Sequence, residues 1–178
     1  MTLIFRGALC ALALAAAGFS GDSLAQSRAG ASPVSNTLEL GKYGDWGAYM
    51  SGAGASKVCF ALSQPKDRVP KGLTRDPAYA FVSTRPGQNV RNEVSFIMGF
   101  SMKGAPSAAV DGKAFPLEAK DKSAFVKNPA EEARVLDTLK SGTRLTVKAT
   151  SARGNDTTDT YSLTGLGKAL EKLASDCK

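Results

Sequence analysis

The sequence predicts a mainly-β antiparallel domain, either a β-sandwich or a partly open barrel, with two short helices, the last at the C-terminus. Three observations predict it. Apolar residues recur at every second position over most of the chain beyond Leu40. Turn residues separate those runs at short intervals. Only two stretches, both late, combine helical spacing with helix-start residues. Many short strands with two late helices fit a sheet whose edge or open end the helices cover.

The first element is not part of that domain. Residues 1–7 carry one positive charge, Arg6, and residues 8–19 form a run of small apolar side chains. Ser23-Leu24-Ala25 then places small residues at −3 and −1 of a cleavage point before Gln26. This is the layout of a secretory signal peptide over residues 1–25. The apolar run is too short to span a bilayer core of roughly 30 Å as a helix. Cys10, preceded by Gly7-Ala8-Leu9, lacks a good lipid-attachment context and leaves with the peptide. The expected location is therefore periplasmic or secreted. Residues 26–39, rich in Ser, Ala, Gly and Pro, read as a flexible leader, and residues 40–178 as a single β-rich domain. No segment of the mature chain has the apolar length of a transmembrane helix.

Within the domain, residues 43–50 and 57–64 read as strands around the loop Ser51-Gly52-Ala53-Gly54. In the second, Val58, Phe60 and Leu62 share one face, and Cys59 and Ala61 point the other way. Residues 78–84 form a third strand. Residues 93–100 form a fourth, with Val94, Phe96, Met98 and Phe100 on one face. Short strands follow at 114–117, after the turn pair Asp111-Gly112, and at 123–126. Residues 143–151 alternate, Leu145, Val147 and Ala149 inward against Arg144, Thr146, Lys148 and Thr150 outward. Residues 157–163 continue that pattern after the turn Arg153-Gly154-Asn155-Asp156.

Two helices interrupt the strands. Asn128 caps the first, with Pro129 at its opening position, Glu131 and Glu132 in its first turn and Gly142 past its end. Val135, Leu136 and Leu139 are its apolar stripe. Thr164 caps the second, in which Leu166, Leu170, Leu173 and Cys177 fall on one face.

Composition narrows the chemistry. The chain has no histidine, which removes the usual general base, the Ser-His and Cys-His nucleophile pairs and the commonest transition-metal ligand. No catalytic residue, metal or cofactor is expected. With Cys10 gone, Cys59 and Cys177 are the only thiols, and two thiols without histidine make a poor zinc site. In an oxidising compartment a Cys59–Cys177 disulfide is the expected use; two separate buried thiols, or one exposed for intermolecular pairing, are the alternatives. Arg6 and Asp22 cancel, so the mature chain keeps the full net charge of +7, an excess that favours anionic surfaces as well as solubility.

At this point the residues resemble the invasion-associated locus B family of exported bacterial proteins, over residues 43–177. The similar stretches are Gly44-Asp45-Trp46, Cys59 with Gln64, Arg75-Asp76-Pro77-Ala78-Tyr79, and Arg91-Asn92-Glu93-Val94-Ser95. Ser151-Ala152-Arg153-Gly154 and Thr158-Asp159-Thr160-Tyr161-Ser162-Leu163 belong with them. The resemblance implies an exported β-rich domain, associated in some pathogens with invasion of host cells, and supplies no catalytic residues. One position departs: many members carry a cysteine soon after the Gly-Asp-Trp stretch, where this chain has Met50.

Three groups of residues are candidates for chemistry. Asp45 beside Trp46 offers an acceptor next to a stacking face, or else a turn Asp beside a core indole. Between residues 66 and 91, Arg68, Lys71, Arg75, Arg85 and Arg91 lie near Tyr79 and Phe81 and suit an anionic polymer or an envelope or host-surface protein. Their alternative is local pairing, Arg75 with Asp76 and Arg91 with Glu93. Export disfavours nucleic acid. Glu131-Glu132 is an acidic pair of the kind glycosidases use, but adjacent helical residues diverge by about 100° and dipole stabilisation explains them better. A histidine-free Ser-Lys pair such as Ser151 with Lys148 would make the chain an envelope hydrolase acting on cell-wall or glycan material. The reading that accounts for most residues is an exported, non-enzymatic interaction protein.

Overall fold

The computed structural model describes residues 37–177. The expected signal peptide and most of the expected leader lie outside the described residues.

Among the described residues eleven strands form one antiparallel sheet. In chain order they are β1 (Thr37–Tyr43), β2 (Trp46–Ser51), β3 (Val58–Ser63), β4 (Asp67–Val69), β5 (Tyr79–Arg85) and β6 (Val90–Ile97). Then come β7 (Met102–Val110), β8 (Lys113–Lys120), β9 (Ser123–Val126), β10 (Arg144–Ser151) and β11 (Asp156–Ser162). Across the sheet they lie in the order β1-β2-β3-β5-β6-β9-β8-β7-β10-β11-β4. The helices are α1 (Glu132–Ser141) and α2 (Leu166–Asp176). The predicted architecture is therefore present in its open-barrel form: the strands curl towards one another but do not close by pairing.

The curl is visible where β2 meets β11, far apart in strand order. Asp45 donates its N–H to Thr164 O at 3.0 Å, and the Trp46 indole donates to Ser162 O at 3.0 Å. Backbone touches backbone along this seam. A Cβ on Gly44 would lie 2.7 Å from Thr164 O, and one on Gly165 would lie 1.7 Å from Tyr43 O. Both glycines have positive φ, so the close approach and the turn demand the same residue type.

Inward side chains of alternate positions build one core. Ala48, Ala61, Val82, Phe96 and Leu117 come from the first half of the sheet, and Leu145, Val147 and Tyr161 from the second. The expected inward set of β10 is found, and Val94, Phe96 and Met98 are buried as their spacing predicts. Val135, Leu136 and Leu139 of α1 join this core, as do Leu166, Ala169 and Leu173 of α2. Asn128 accepts from Ala130 N–H at 3.2 Å, opening one turn of 3-10 helix that runs into α1. The helix α2 lies over β1, β2 and β3. There Cys177 and Cys59 form a buried disulfide with their Cα atoms 6.2 Å apart.

Several boundaries differ from the sequence reading. The strand β1 starts at Thr37, so the ordered domain takes in residues 37–39 of the expected leader. The single strand expected over 43–50 is broken by the turn Gly44-Asp45, with Tyr43 ending β1 and Trp46 starting β2. The backbone leaves β6 after Ile97, which puts Phe100 beyond the strand. Thr164 does not cap α2; its carbonyl is taken up by Asp45, and Gly165 with φ 95° is the residue before the helix. The strands β4 and β7 were not expected, nor was β1 apart from Tyr43.

Candidate functional site

Tyr161, Asp159 and Thr157 alternate inward along β11, and Asp159 is fully buried. A buried carboxylate requires a cationic partner, and two arginines supply it. Arg68, on the neighbouring strand β4, places Nε 3.3 Å from both carboxylate oxygens. Its Nη1 donates to Asp76 O and its Nη2 to Met98 O, each at 3.0 Å, so every nitrogen of Arg68 is occupied. Arg75 donates Nη1 to Asp159 Oδ1 at 3.0 Å, and its side chain is only 7% exposed. Its Nε and Nη2 have no acceptor among the described residues. Two guanidinium groups on one carboxylate leave a net positive charge at this point. Burial, and after it the charge of Asp159, pushes the Tyr161 phenol above its ordinary range, so it stays protonated.

Arg75 lines a cleft of about 550 Å³. Its walls are the 72–76 loop, the 99–101 segment that follows β6, and the β10–β11 turn. Lys122 lies in it and pairs with Asp76 at 3.1 Å, while Arg153 at the β10–β11 turn is exposed and has no counter-ion among the described residues. Thr74 and Asn155 line the same space with side chains that carry no hydrogen bond among the described residues. The remaining hydroxyls are engaged: Ser101 donates to Asp121 Oδ1 at 2.8 Å, Ser151 accepts from Asn155 N–H at 3.1 Å, and Thr157 donates to Ala149 O at 2.9 Å. Phe100, half-buried, adds an apolar wall. Such a cleft can hold an anion; none of its hydroxyls faces a free base.

The structure divides the five cations singled out in the sequence. Arg68 and Arg75 meet at Asp159, although Arg75 pairs there rather than with its neighbour Asp76. Lys71 is exposed and pairs with Asp67, within hydrogen-bonding reach. Arg85 forms a two-point pair with Glu93, at 3.0 and 2.9 Å, taking the partner that the sequence reading gave to Arg91. Arg91 is exposed without a counter-ion among the described residues. It borders a separate hollow of about 720 Å³ that also holds Lys120, Lys127 and Glu132. Tyr79 and Phe81 lie on the other side of the sheet from the Asp159 cluster. They extend an aromatic row in which ring centroids are 5.5 Å apart for Tyr49–Phe60, 5.8 Å for Phe60–Phe81 and 5.9 Å for Tyr79–Phe81.

Asp45 and Trp46 belong to the seam. Trp46 is 2% exposed and offers no ring face to a ligand. Asp45 pairs with Lys66, which is the main cause of a carboxyl pKa below the ordinary value, and its carbonyl accepts from Ser63 at 2.7 Å. Ser151 points inward and Lys148 outward, so they form no pair. Glu131 pairs with Arg134, while Glu132 accepts from Val94 N–H at 3.2 Å, so the two carboxylates diverge.

Sequence reasoning missed Asp159 as an organiser, and Thr74, Lys122, Arg153 and Asn155 as wall residues. A signal for Asp159 existed: an acid at an inward position of an alternating strand needs a buried cation. Among the described residues no three His, Cys, Asp or Glu side chains are placed to hold a metal, and no helix is long and apolar enough to cross a membrane. Compared with family models, with curated proteins and with solved structures, the chain finds no match.

Proposed function

We propose that this chain is an exported, non-enzymatic interaction protein of the invasion-associated locus B type, and that it contacts anionic partners of the envelope or of a host surface. One observation carries the reading. The buried Arg75 lines a polar cleft, its Nε and Nη2 have no acceptor among the described residues, and a further uncompensated cation, Arg153, stands at the rim. Guanidinium groups in partly desolvated settings hold oxyanions far better than exposed lysines do. What favours binding over hydrolysis is that Ser101, Ser151 and Thr157 all have fixed partners, and that Lys122 is held by a carboxylate.

The test is retention of the purified mature protein on immobilised anionic and neutral polysaccharides at low and at high ionic strength. Retention on the anionic matrix should be lost as salt shortens the screening length from about 30 Å towards 3 Å. It should also be weakened by Arg153→Glu. Equal retention on neutral matrices would defeat the proposal, as would turnover of a cell-wall glycan abolished by Ser101→Ala. The N-terminal residue of protein recovered from the periplasm or medium should be Gln26.

A further inference from the structure

We infer that the cleft takes a carboxylate-bearing sugar, a hexuronate, held by the Nε–Nη2 edge of Arg75. The inference rests on the anion-binding reading above and names its ligand class. Arg68 and Arg75 grip the same carboxylate but differ in what remains. Arg68 has all three nitrogens occupied, whereas Arg75 uses Nη1 alone. The open Nε and Nη2 of a guanidinium present two parallel N–H groups in one plane, spaced for the two oxygens of a carboxylate. Asp159 holds the opposite corner, which fixes the orientation of that edge.

Charge and volume narrow the ligand further. Arg68 and Arg75 against Asp159 leave one positive charge, and Lys122 is neutralised by Asp76. One open charge in the depth of the cleft matches a monoanion. About 550 Å³ admits one or two pyranose rings. Around them stand Thr74 and Asn155, whose open hydroxyl and amide groups suit sugar hydroxyls, and Phe100, whose ring suits the apolar face of a pyranose. Arg153 at the rim meets the next acidic residue of an oligomer.

The probe is trigalacturonate, followed by ¹H–¹⁵N NMR of the mature protein, including the arginine Nε–Hε signals. Its methyl ester and galactose 6-sulfate serve as comparators. Titration with trigalacturonate should move the Arg75 Nε–Hε and Asn155 side-chain signals; the methyl ester should not. Arg75 also supports the fold, so the affinity test uses Asn155→Ala and Thr74→Val, each expected to weaken binding about three- to tenfold. Arg75→Lys, which keeps the charge on Asp159 but removes the edge, should lose the uronate preference in a chain shown folded by its dispersed spectrum. Equal shifts with the methyl ester or with the sulfate would overturn the carboxylate assignment while leaving an anion-binding cleft. Shifts confined to Arg91, Lys120 and Lys127 would overturn the site but not the attraction to anions. Failure of every anionic probe to bind would remove both readings.

Discussion

At the scale of single residues, Asp159 carries the largest consequence. It is fully buried, and its loss would leave Arg68 and Arg75 facing each other without a counter-charge. Breaking a buried pair from one side costs about 3–5 kcal/mol, because the remaining charge stays desolvated. Asp159→Asn should therefore lower the unfolding free energy by that amount, seen as a lower urea midpoint at an unchanged slope of the transition. A drop of less than about 1 kcal/mol would mean that water reaches the arginines. Glu132 behaves in the opposite sense. Burial raises its carboxyl pKa despite the Val94 N–H that it accepts, so the charged form costs stability above its unfolded value of about 4.3. Glu132→Gln keeps an acceptor for Val94 and should raise the melting temperature at pH 7 but not at pH 3. These roles were only partly legible. Arg68 and Arg75 stood out as cations, but nothing local connects them to a residue more than eighty positions later. Trp46 was legible as a core indole, and the structure adds the reason for its neighbours: Gly44 admits the backbone of Thr164, and Asp45 donates to it.

At the scale of elements, α2 shows how much a periodic pattern can convey. Its apolar face was read from spacing alone, and Leu166 and Leu173 are buried as that face requires. The parity of β3 placed Cys59 opposite Phe60, so a bond to Cys177 required α2 either to cover the Cys59 side of the sheet or to pass over an edge, and it lies over β1, β2 and β3. The strand β7 was illegible for a physical reason. Its inward residues Pro106, Ala108 and Val110 are mostly small, and a proline argues against an interior strand. The sheet accommodates Pro106 at a bulge, where the register between β7 and β10 shifts. With only three residues, β4 gives no period to read. Truncating Leu173 to Ala should cost about 2–5 kcal/mol by leaving a cavity under α2. The bond between Cys59 and Cys177 spans 118 residues, and loop-closure entropy assigns it roughly 4–5 kcal/mol. Reductant, or the paired Cys→Ser variant, should lower the melting temperature accordingly. Non-reduced peptide mapping of exported protein should find the two cysteines linked, and free thiols at both positions would contradict the structure.

At the scale of the whole molecule, the fold class was legible because alternation marks most of the expected strands, whereas the approach of the sheet's two ends was not. That approach depends on the seam, where main-chain groups from opposite ends of the strand order meet, and main-chain contacts leave little trace in side-chain pattern. The charge of the molecule gives a further expectation. Asp45, Asp67, Asp111 and Asp176 all have carboxyl pKa values below the ordinary range. For Asp111 the causes are the Thr143 N–H, the Thr143 hydroxyl and the Arg144 N–H. A depressed folded pKa contributes stability that is complete above the unfolded value of about 3.9 and is lost as pH falls through the folded value. Stability should therefore not fall above about pH 4.5, where protonation of Glu132 can only add to it, and should decline below pH 4 as these exposed carboxylates protonate. Circular dichroism of urea transitions at stepped pH measures this. Loss of stability already between pH 6 and 5 would point to groups other than these carboxylates, since the chain has no histidine.

The disulfide also decides how the molecule bears tension. A pull between Thr37 and Cys177 follows the covalent path through residues 37–59 and then crosses the sulfur bridge. Everything from β3 onward hangs as a closed loop off that path and feels no load. Only β1, β2 and the chain up to Cys59 can be drawn out, a lengthening of about 70–80 Å at ~3.3–3.6 Å per residue. The cleft, the Asp159 cluster and the seam's β11 side would keep their shape while the first hairpin unravels. Single-molecule stretching should record that short step under oxidising conditions and an extension of roughly 480 Å once the bridge is reduced.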